Sequence, residues 1–146
     1  MNNVQKGIYG EHLVVAKLIE LGFIVAQTEK NTESIDILCA NQINGVACSI
    51  QVKTTDKKSW IINKKCEISK YGLFFIFVRL PNNKSDFTPE FFVYKSSDVA
   101  KEIKEEHSKW LKCSGRNGAE HKDNDIRTFI ATAKDNWQII KDFLEK

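Results

Sequence analysis

The sequence predicts an α/β fold in which helices flank a mixed central β-sheet. The chain opens with an amphipathic segment whose apolar residues recur at helical spacing. Short apolar runs separated by turn residues follow it. One of these runs, Leu73 to Leu80, is continuously apolar, which is typical of a strand buried on both faces of a sheet. Because 146 residues is about the size of one ordinary domain, we expect a single domain over residues 1–146.

The first part of the chain predicts a helix followed by three strands. The helix is expected over Asn3 to Gly22, since glycine commonly ends a helix. Its inward face is predicted from four apolar residues at helical spacing, namely Val4, Ile8, Val15 and Leu18. The strands are expected over Phe23 to Gln27, Ile35 to Ala40 and Val46 to Thr54. Between the last two, Asn44-Gly45 indicates a two-residue hairpin turn.

The second part predicts further strands and two helices. Residues 81–89 are expected to form a loop before a strand over Glu90 to Tyr94. A helix running to about His107 would then start from three N-cap candidates, Ser96, Ser97 and Asp98. Residues 112–125 have the composition of an exposed loop, and residues 126–131 are compatible with strand or helix. A last helix, capped by Asp135-Asn136, would bury Trp137, Ile140 and Leu144 on one face.

The composition excludes disordered, fibrous and membrane-spanning proteins. Hydrophobic residues make up 42% of the chain and charged residues 28%, as in soluble globular proteins. The longest purely apolar run, Leu73 to Val78, is far shorter than the roughly 20 residues that cross a bilayer. Charged side chains also interrupt the N-terminal segment where a signal peptide would be apolar. A cytoplasmic protein with no membrane partner is therefore expected.

The four cysteines have no CxxC spacing and are interpreted as reduced, mostly buried thiols. A zinc site at His107, Cys113 and His121 is the alternative, but these residues lack the short paired spacings of structural zinc sites.

The positive charge is concentrated in one segment. The chain as a whole has 22 basic and 19 acidic residues, a net charge of +3, which alone does not indicate a nucleic-acid partner. Between Gln51 and Lys70, six lysines accompany two carboxylates, a local net charge of +4. The best candidates for phosphate binding in this segment are Lys57, Lys58, Lys64 and Lys65. The alternative is an ordinary solvated surface.

Glu11 interrupts the apolar stripe of the first helix. It lies three residues after Ile8 and four before Val15, so its carboxylate is expected to point toward the sheet. A carboxylate on a buried face is costly and usually has a partner or a function. The alternative is stabilisation by the helix dipole or by a neighbouring lysine.

The predicted hairpin brings three polar side chains to one face. A two-residue turn at Asn44-Gly45 would place Asp36 directly opposite Lys53, and Gln51 would lie diagonal to Asp36. The other face is apolar and consists of Ile35, Ile37, Cys39, Cys48, Ile50 and Val52. A simple cross-strand ion pair is one interpretation of the polar face. The other is a Mg²⁺ site, because two carboxylates, an amide oxygen and a backbone carbonyl form an all-oxygen ligand set.

These residues resemble a known family. Glu11, then Ser34-Ile35-Asp36, then Gln51-Val52-Lys53 look like the motif of the PD-(D/E)XK nuclease superfamily, in the Mrr-like variant in which glutamine replaces the last acid. The motif covers about the first 55 residues. The resemblance implies a restriction-endonuclease-like fold and a Mg²⁺-dependent (or Mn²⁺-dependent) endonuclease that hydrolyses phosphodiester bonds in DNA.

The resemblance also implies residue roles. Asp36 and Gln51 would be metal ligands together with the backbone carbonyl of Val52, Glu11 would assist the metal or its waters, and Lys53 would be the catalytic lysine. A homodimer is expected from how such enzymes cut both strands, and no small organic cofactor is expected.

Two departures from the family pattern keep alternatives open. Ser34-Ile35 stands where the family has proline, and Gln51 removes one negative charge from the metal site. The alternatives are a catalytically inactive nuclease-fold module that binds DNA, or an immunity or regulatory interaction protein.

Overall fold

The computed structural model describes residues 1–29, 34–82, 88–113, 115 and 118–146. Its elements, in chain order, are α1 (Asn3–Glu20), β1 (Ile24–Gln27), β2 (Ile37–Ala40), β3 (Ala47–Thr55), β4 (Trp60–Asn63), a 3₁₀ helix (Lys64–Glu67), β5 (Leu73–Arg79), β6 (Glu90–Lys95), α2 (Ser96–Lys112), β7 (Ile126–Phe129) and α3 (Gln138–Leu144). The predicted helices and strands occur in the predicted order, and the structure adds β4 and the 3₁₀ helix, which the sequence analysis did not assign. Residues 126–129, for which the sequence left strand and helix open, form a strand.

The described strands form two sheets. The larger sheet has five strands in the order β1-β2-β3-β5-β6, and β4 pairs with β7 in a two-stranded sheet. Strands β3 and β5 run parallel, whereas the other neighbours in the large sheet are antiparallel. The predicted α/β class with a mixed central sheet is therefore confirmed.

The large sheet is covered on both faces. On one face, residues of α1 and α3 pack against Ile37, Ile50 and Ile76. On the other, residues of α2, β4 and β7 pack against Phe75 and Phe77. Because β5 is sandwiched between both layers, Leu73 to Val78 are all buried, which explains the continuous apolar run in the sequence. Within the described part of the chain, no helix is long and apolar enough to cross a membrane.

The rotation of α1 about its axis differs from the prediction. The buried residues are Gly10, Val14 and Leu18, whereas Val4 and Ile8 are 72% and 42% exposed. The physical reason is a close approach between Gly10 and Thr54. A Cβ atom at position 10 would lie 2.9 Å from Thr54 Cβ and would overlap its Oγ1. The glycine therefore sets the face that α1 presents to β3.

The hairpin between β2 and β3 has a different register from the predicted one. Ile37 pairs with Ile50 and Cys39 with Cys48, so the register is shifted by two residues. The apolar face keeps Ile37, Cys39, Cys48 and Ile50 together because a shift of two preserves the alternation of side chains.

The predicted two-residue turn is wrong because the loop is longer. Asn41 N–H donates to Val46 O at 2.9 Å, and the side-chain amides of Asn41 and Asn44 donate to Leu144 O at 3.1 and 2.9 Å. The end of α3 thus stabilises the longer loop.

The predicted helix caps are also corrected. The N-cap residue of α2 is Lys95, and no side chain caps this terminus. Ser96 instead accepts a hydrogen bond from Lys70 N–H at 3.1 Å, and it is 1% exposed. Helix α2 also extends beyond His107 to Lys112. The N-cap residue of α3 is Trp137 rather than Asp135-Asn136, although the predicted buried face of α3 is confirmed.

The remaining predictions concern thiols and loops. Cys39, Cys48 and Cys66 are buried, Cys113 is exposed, and all four are free. In the described ranges, no three His, Cys, Asp or Glu side chains are grouped as metal ligands. Parts of two predicted loops, residues 83–87 and residues 114, 116 and 117, lie outside the described residues, as do residues 30–33.

Candidate active site

Asp36 directly precedes β2 and continues it in an irregular pairing with β3. Its N–H donates to the carbonyl oxygen of Ile50 at 2.9 Å, although Ile50 is the register partner of Ile37. Two residues of one strand thus meet one residue of the other, as in a β-bulge. A bulge redirects the side chain of the extra residue, which breaks the alternation that the sequence analysis assumed for Asp36.

The bulge turns the Asp36 carboxylate toward the backbone of β3. Its Oδ2 accepts a hydrogen bond from Val52 N–H at 2.7 Å in a partly buried position. Since the N–H and C=O of one strand residue point to the same edge, the Val52 carbonyl also lies on the β2 side of β3. The predicted pairing of Asp36 with Lys53 is therefore wrong: Asp36 is beside Ile50 and bonded to Val52.

Glu11 is close to Asp36. It lies at the margin of the buried face of α1, one residue after Gly10, which contacts Thr54. Burial raises the pKa of the Glu11 carboxyl, the charge of Asp36 raises this pKa further, and His12 partly offsets the rise. Asp36 is thus bonded to the backbone of Val52, and its charge acts on the carboxyl of Glu11.

Gln51 and Lys53 lie on the sheet face opposite to α1. They pair in register with Phe75 and Phe77 of β5, and both are partly buried. The charge of Lys53 acts on the Cys66 thiol. Burial raises the pKa of this thiol, and the positive charge of Lys53 lowers it in part. Lys53 therefore borders the layer formed by the 3₁₀ helix and α2. Asp36, redirected by its bulge, lies at the strand edge between the two faces.

The predicted phosphate-binding lysines lie in two places. Lys57 and Lys58 are exposed in the connection from β3 to β4, whereas Lys64 and Lys65 are exposed at the start of the 3₁₀ helix after β4. Lys64 forms an ion pair with Asp125 at 3.0 Å. The four lysines thus form two pairs separated by β4 rather than one cluster.

Thr54 is a residue near the site that the sequence reasoning missed. Its Oγ1 is buried and has no hydrogen-bond partner among the described residues. It packs against Gly10, beside Glu11. The only sequence signal was a glycine inside a helix, which often marks a close approach.

Comparison with known proteins finds a likeness among solved structures. No protein-family model matches the chain, and no curated protein matches it. Among solved structures, the chain is similar to a bacterial homing endonuclease, I-Ssp6803I, with a TM-score of 0.56 and 10% sequence identity. The alignment covers 99% of this chain and 95% of the endonuclease chain. At this identity the likeness establishes the fold, and the fold is nuclease-like.

Proposed function

We propose that this protein is a metal-dependent endonuclease of the PD-(D/E)XK type that hydrolyses phosphodiester bonds in DNA. The observation that carries the proposal is the Asp36 carboxylate, held on Val52 N–H at 2.7 Å beside the carboxyl of Glu11. This arrangement lies at the start of Gln51-Val52-Lys53, where the motif places its ligands. The likeness to a homing endonuclease supports DNA as the substrate class.

The donor atoms fit a hard divalent cation. The pKa of the Glu11 carboxyl is raised first by burial and second by repulsion from the charge of Asp36. A cation between them would relieve this repulsion. The Val52 carbonyl would add a third oxygen, and the Gln51 amide would add a fourth if its side chain reached round from the other face of β3. Such an oxygen ligand set suits Mg²⁺ or Mn²⁺. Because Gln51 is neutral, the proposed site has a lower negative charge than one with glutamate at this position.

Each residue has a distinct proposed role. A bound Mg²⁺ would supply an activated water and stabilise charge on the phosphate. The hydrogen bond from Val52 fixes Asp36, so that its second oxygen stays available to the cation. Glu11 would assist the metal or its waters, and Lys53 would stabilise negative charge on the phosphoryl group.

A cleavage assay with two site variants tests the proposal. Plasmid and single-stranded DNA are incubated with Mg²⁺ or Mn²⁺ and with native protein, Asp36→Asn or Lys53→Met. Asp36→Asn keeps an oxygen that can accept from Val52 N–H but removes the charge. Each variant should lower the cleavage rate by about 100-fold or more, the usual effect of losing a group that stabilises transition-state charge. The matched controls are Asp98→Asn and Lys101→Met, exposed residues of α2.

The same assay separates the alternatives. Absence of cleavage by the native protein, or unchanged cleavage in both site variants, contradicts the proposal. DNA binding without cleavage would favour an inactive binding module, and absence of both would favour an interaction protein. Gln51→Glu gives a further check: added negative charge should lower the Mg²⁺ or Mn²⁺ concentration for half-maximal activity by about tenfold, or about 1.4 kcal/mol.

Two further parts of the proposal concern binding and assembly. Lys57, Lys58, Lys64 and Lys65 would contact DNA phosphates, so their substitution should weaken the salt dependence of binding. A homodimer would allow both strands to be cut, which sedimentation of the protein with and without duplex DNA tests.

A further inference from the structure

A cationic cavity lies at the edge of the sheet where β5 begins and β6 ends. Its volume is about 370 Å³, and its walls include Lys70, Tyr71, Lys95, Ser97, Asp142 and Lys146. Three lysines therefore accompany one carboxylate. They come from three distant parts of the chain, and only Lys70 belongs to the lysine-rich segment of the sequence.

The backbone fixes two of these lysines beside each other. The buried hydroxyl of Ser96, next to Lys95, accepts a hydrogen bond from Lys70 N–H at 3.1 Å. Lys95 itself ends β6 opposite Phe74 of β5. Because these pairings involve buried or sheet residues, the two lysine backbones hold a defined spacing without any bound ligand.

Two lysines of this cavity are available to a ligand. In the described part of the chain, Lys70 and Lys95 form no ion pair, whereas Lys6, Lys64 and Lys134 pair with carboxylates. The cavity carboxylate, Asp142, accepts a hydrogen bond from Gln138 at 2.8 Å. Two unpaired ammonium groups on a concave surface favour an anion as the occupant.

An exposed aromatic ring borders the same cavity. Tyr71 is 87% exposed, and Lys146 Nζ lies 5.7 Å from the centre of its ring and 5.0 Å from that of Phe143. An exposed ring beside cations is the combination that binds nucleic acid, because the ring can stack on a base while the cations contact phosphates.

We propose that this cavity binds a backbone phosphate of the nucleic acid on which the protein acts, with Lys70 and Lys95 as the principal contacts and Tyr71 against a neighbouring base. The inference rests on the proposed function and extends it to a second contact outside the candidate active site. Such a contact would align the substrate from the sheet end that the predicted lysines Lys57 and Lys58 do not reach.

The electrostatics connect this cavity with the candidate active site. Lys53 and Lys70 both act on the Cys66 thiol, each lowering its pKa against the effect of burial. Cys66 therefore lies within the influence of both ammonium groups.

Binding of a fluorescent DNA duplex, measured by anisotropy in EDTA over a range of salt concentrations, tests this inference. The test variant is Lys70→Gln/Lys95→Gln. The control is Lys101→Gln/Lys104→Gln, which removes the same charge from exposed positions of α2 outside the cavity. The test variant should bind about tenfold or more weakly, and its slope of log K against log salt should fall by about 2, roughly 0.9 per lost contact.

The control should keep the native slope, and Lys70→Arg/Lys95→Arg should restore most of the binding. A thermal melt of each variant confirms that it is folded. Tyr71→Ala should weaken binding to single-stranded DNA with no change of slope.

The outcomes are distinguishable from failure of the proposed function. If the native protein cleaves DNA but the test variant binds with the same slope as its control, the inference is overturned and the nuclease proposal stands. If the native protein neither binds nor cleaves DNA, both fail. A titration with inorganic phosphate, followed by NMR, tests whether the cavity binds free phosphate instead. If phosphate perturbs Lys70 and Lys95 in a protein that does not bind DNA, the cavity is a site for free phosphate and the nucleic-acid assignment is overturned.

Discussion

The contact between Gly10 and Thr54 provides a direct test of how α1 is positioned. Gly10→Ala adds one methyl group at the closest approach of α1 to β3. The new Cβ would overlap Thr54 Oγ1 and lie 2.9 Å from Thr54 Cβ and 3.0 Å from Thr54 Cγ2. Rotation of the Thr54 side chain could move its hydroxyl away, but its Cβ belongs to the strand. The helix must therefore move, and Glu11 moves with it.

Two opposing effects decide the stability change. Alanine is favoured over glycine inside a helix by about 1 kcal/mol. Overpacking a close contact costs about 1–3 kcal/mol. Gly10→Ala should then destabilise the protein by about 1 kcal/mol, since the packing cost exceeds the helical gain. Gly7 is the matched control: it lies in the same helix, and a Cβ there would meet no atom within 4 Å. Gly7→Ala should stabilise the protein by about 1 kcal/mol.

The measurement is urea unfolding and thermal melting of both variants. The difference between them, about 2 kcal/mol, corresponds to about 4–8 °C in Tm for a chain of this size. Gly10→Ala should also lower DNA cleavage, whereas Gly7→Ala should leave it unchanged. Thr54→Ala in the Gly10→Ala background should recover part of the stability. If Gly10→Ala is as stable as Gly7→Ala, the contact does not set the position of α1, and the reasoning is refuted.

Two further predictions concern charged side chains. Because the pKa of Glu11 is raised in the folded state, the folded protein binds a proton more tightly than the unfolded chain, so stability falls as pH rises above the ordinary value of 4.5 through the raised pKa. Glu11→Gln should therefore raise Tm near neutral pH by about 1–3 °C, and its Tm should return to that of the native protein in acid. Glu145→Gln, at an exposed position, should leave Tm unchanged at both pH values. Arg127 is 6% exposed, and its guanidinium donates hydrogen bonds to Glu67 at 2.7 Å and to two backbone carbonyls. Arg127→Ala should cost about 3 kcal/mol in urea unfolding. Glu67→Ala in the same chain should recover part of this loss, and full stability of Arg127→Ala alone would contradict the account.

The sequence predicted those parts of the fold that depend on local patterns. The apolar alternation of the hairpin located both of its faces, because a period of two is unchanged by a register shift of two residues. The register itself could not be predicted, since Asn41 and Asn44 bond to Leu144, about a hundred residues away. The local sequence around Asp36 likewise gives no signal that predicts its bulge.

The candidate site was predicted in part for the same reason. The charge of Asp36 acts on Glu11, but Asp36 is held at the edge of β3 by Val52 rather than on the polar face of the hairpin. The phase of α1 was misjudged because Val4 and Ile8 are apolar residues that stay exposed. The cationic cavity could not be predicted from the sequence, because Lys70 and Lys95 become neighbours only through the pairing of β5 with β6.

The parallel pairing of β3 with β5 has a consequence for how the protein acquires its structure. Helix α1 and strands β1 to β3 are consecutive, and their antiparallel contacts close short loops that form early. All the residues of the candidate active site belong to this first unit. The second edge of β3, however, is covered only when β5 docks across a connection that contains β4 and the 3₁₀ helix. A chain in which β5 has not yet docked would expose unpaired backbone groups on the strand that carries Gln51 and Lys53, and such an edge favours aggregation. Mutations that slow the docking of β5 should therefore reduce the yield of folded protein more than its final stability.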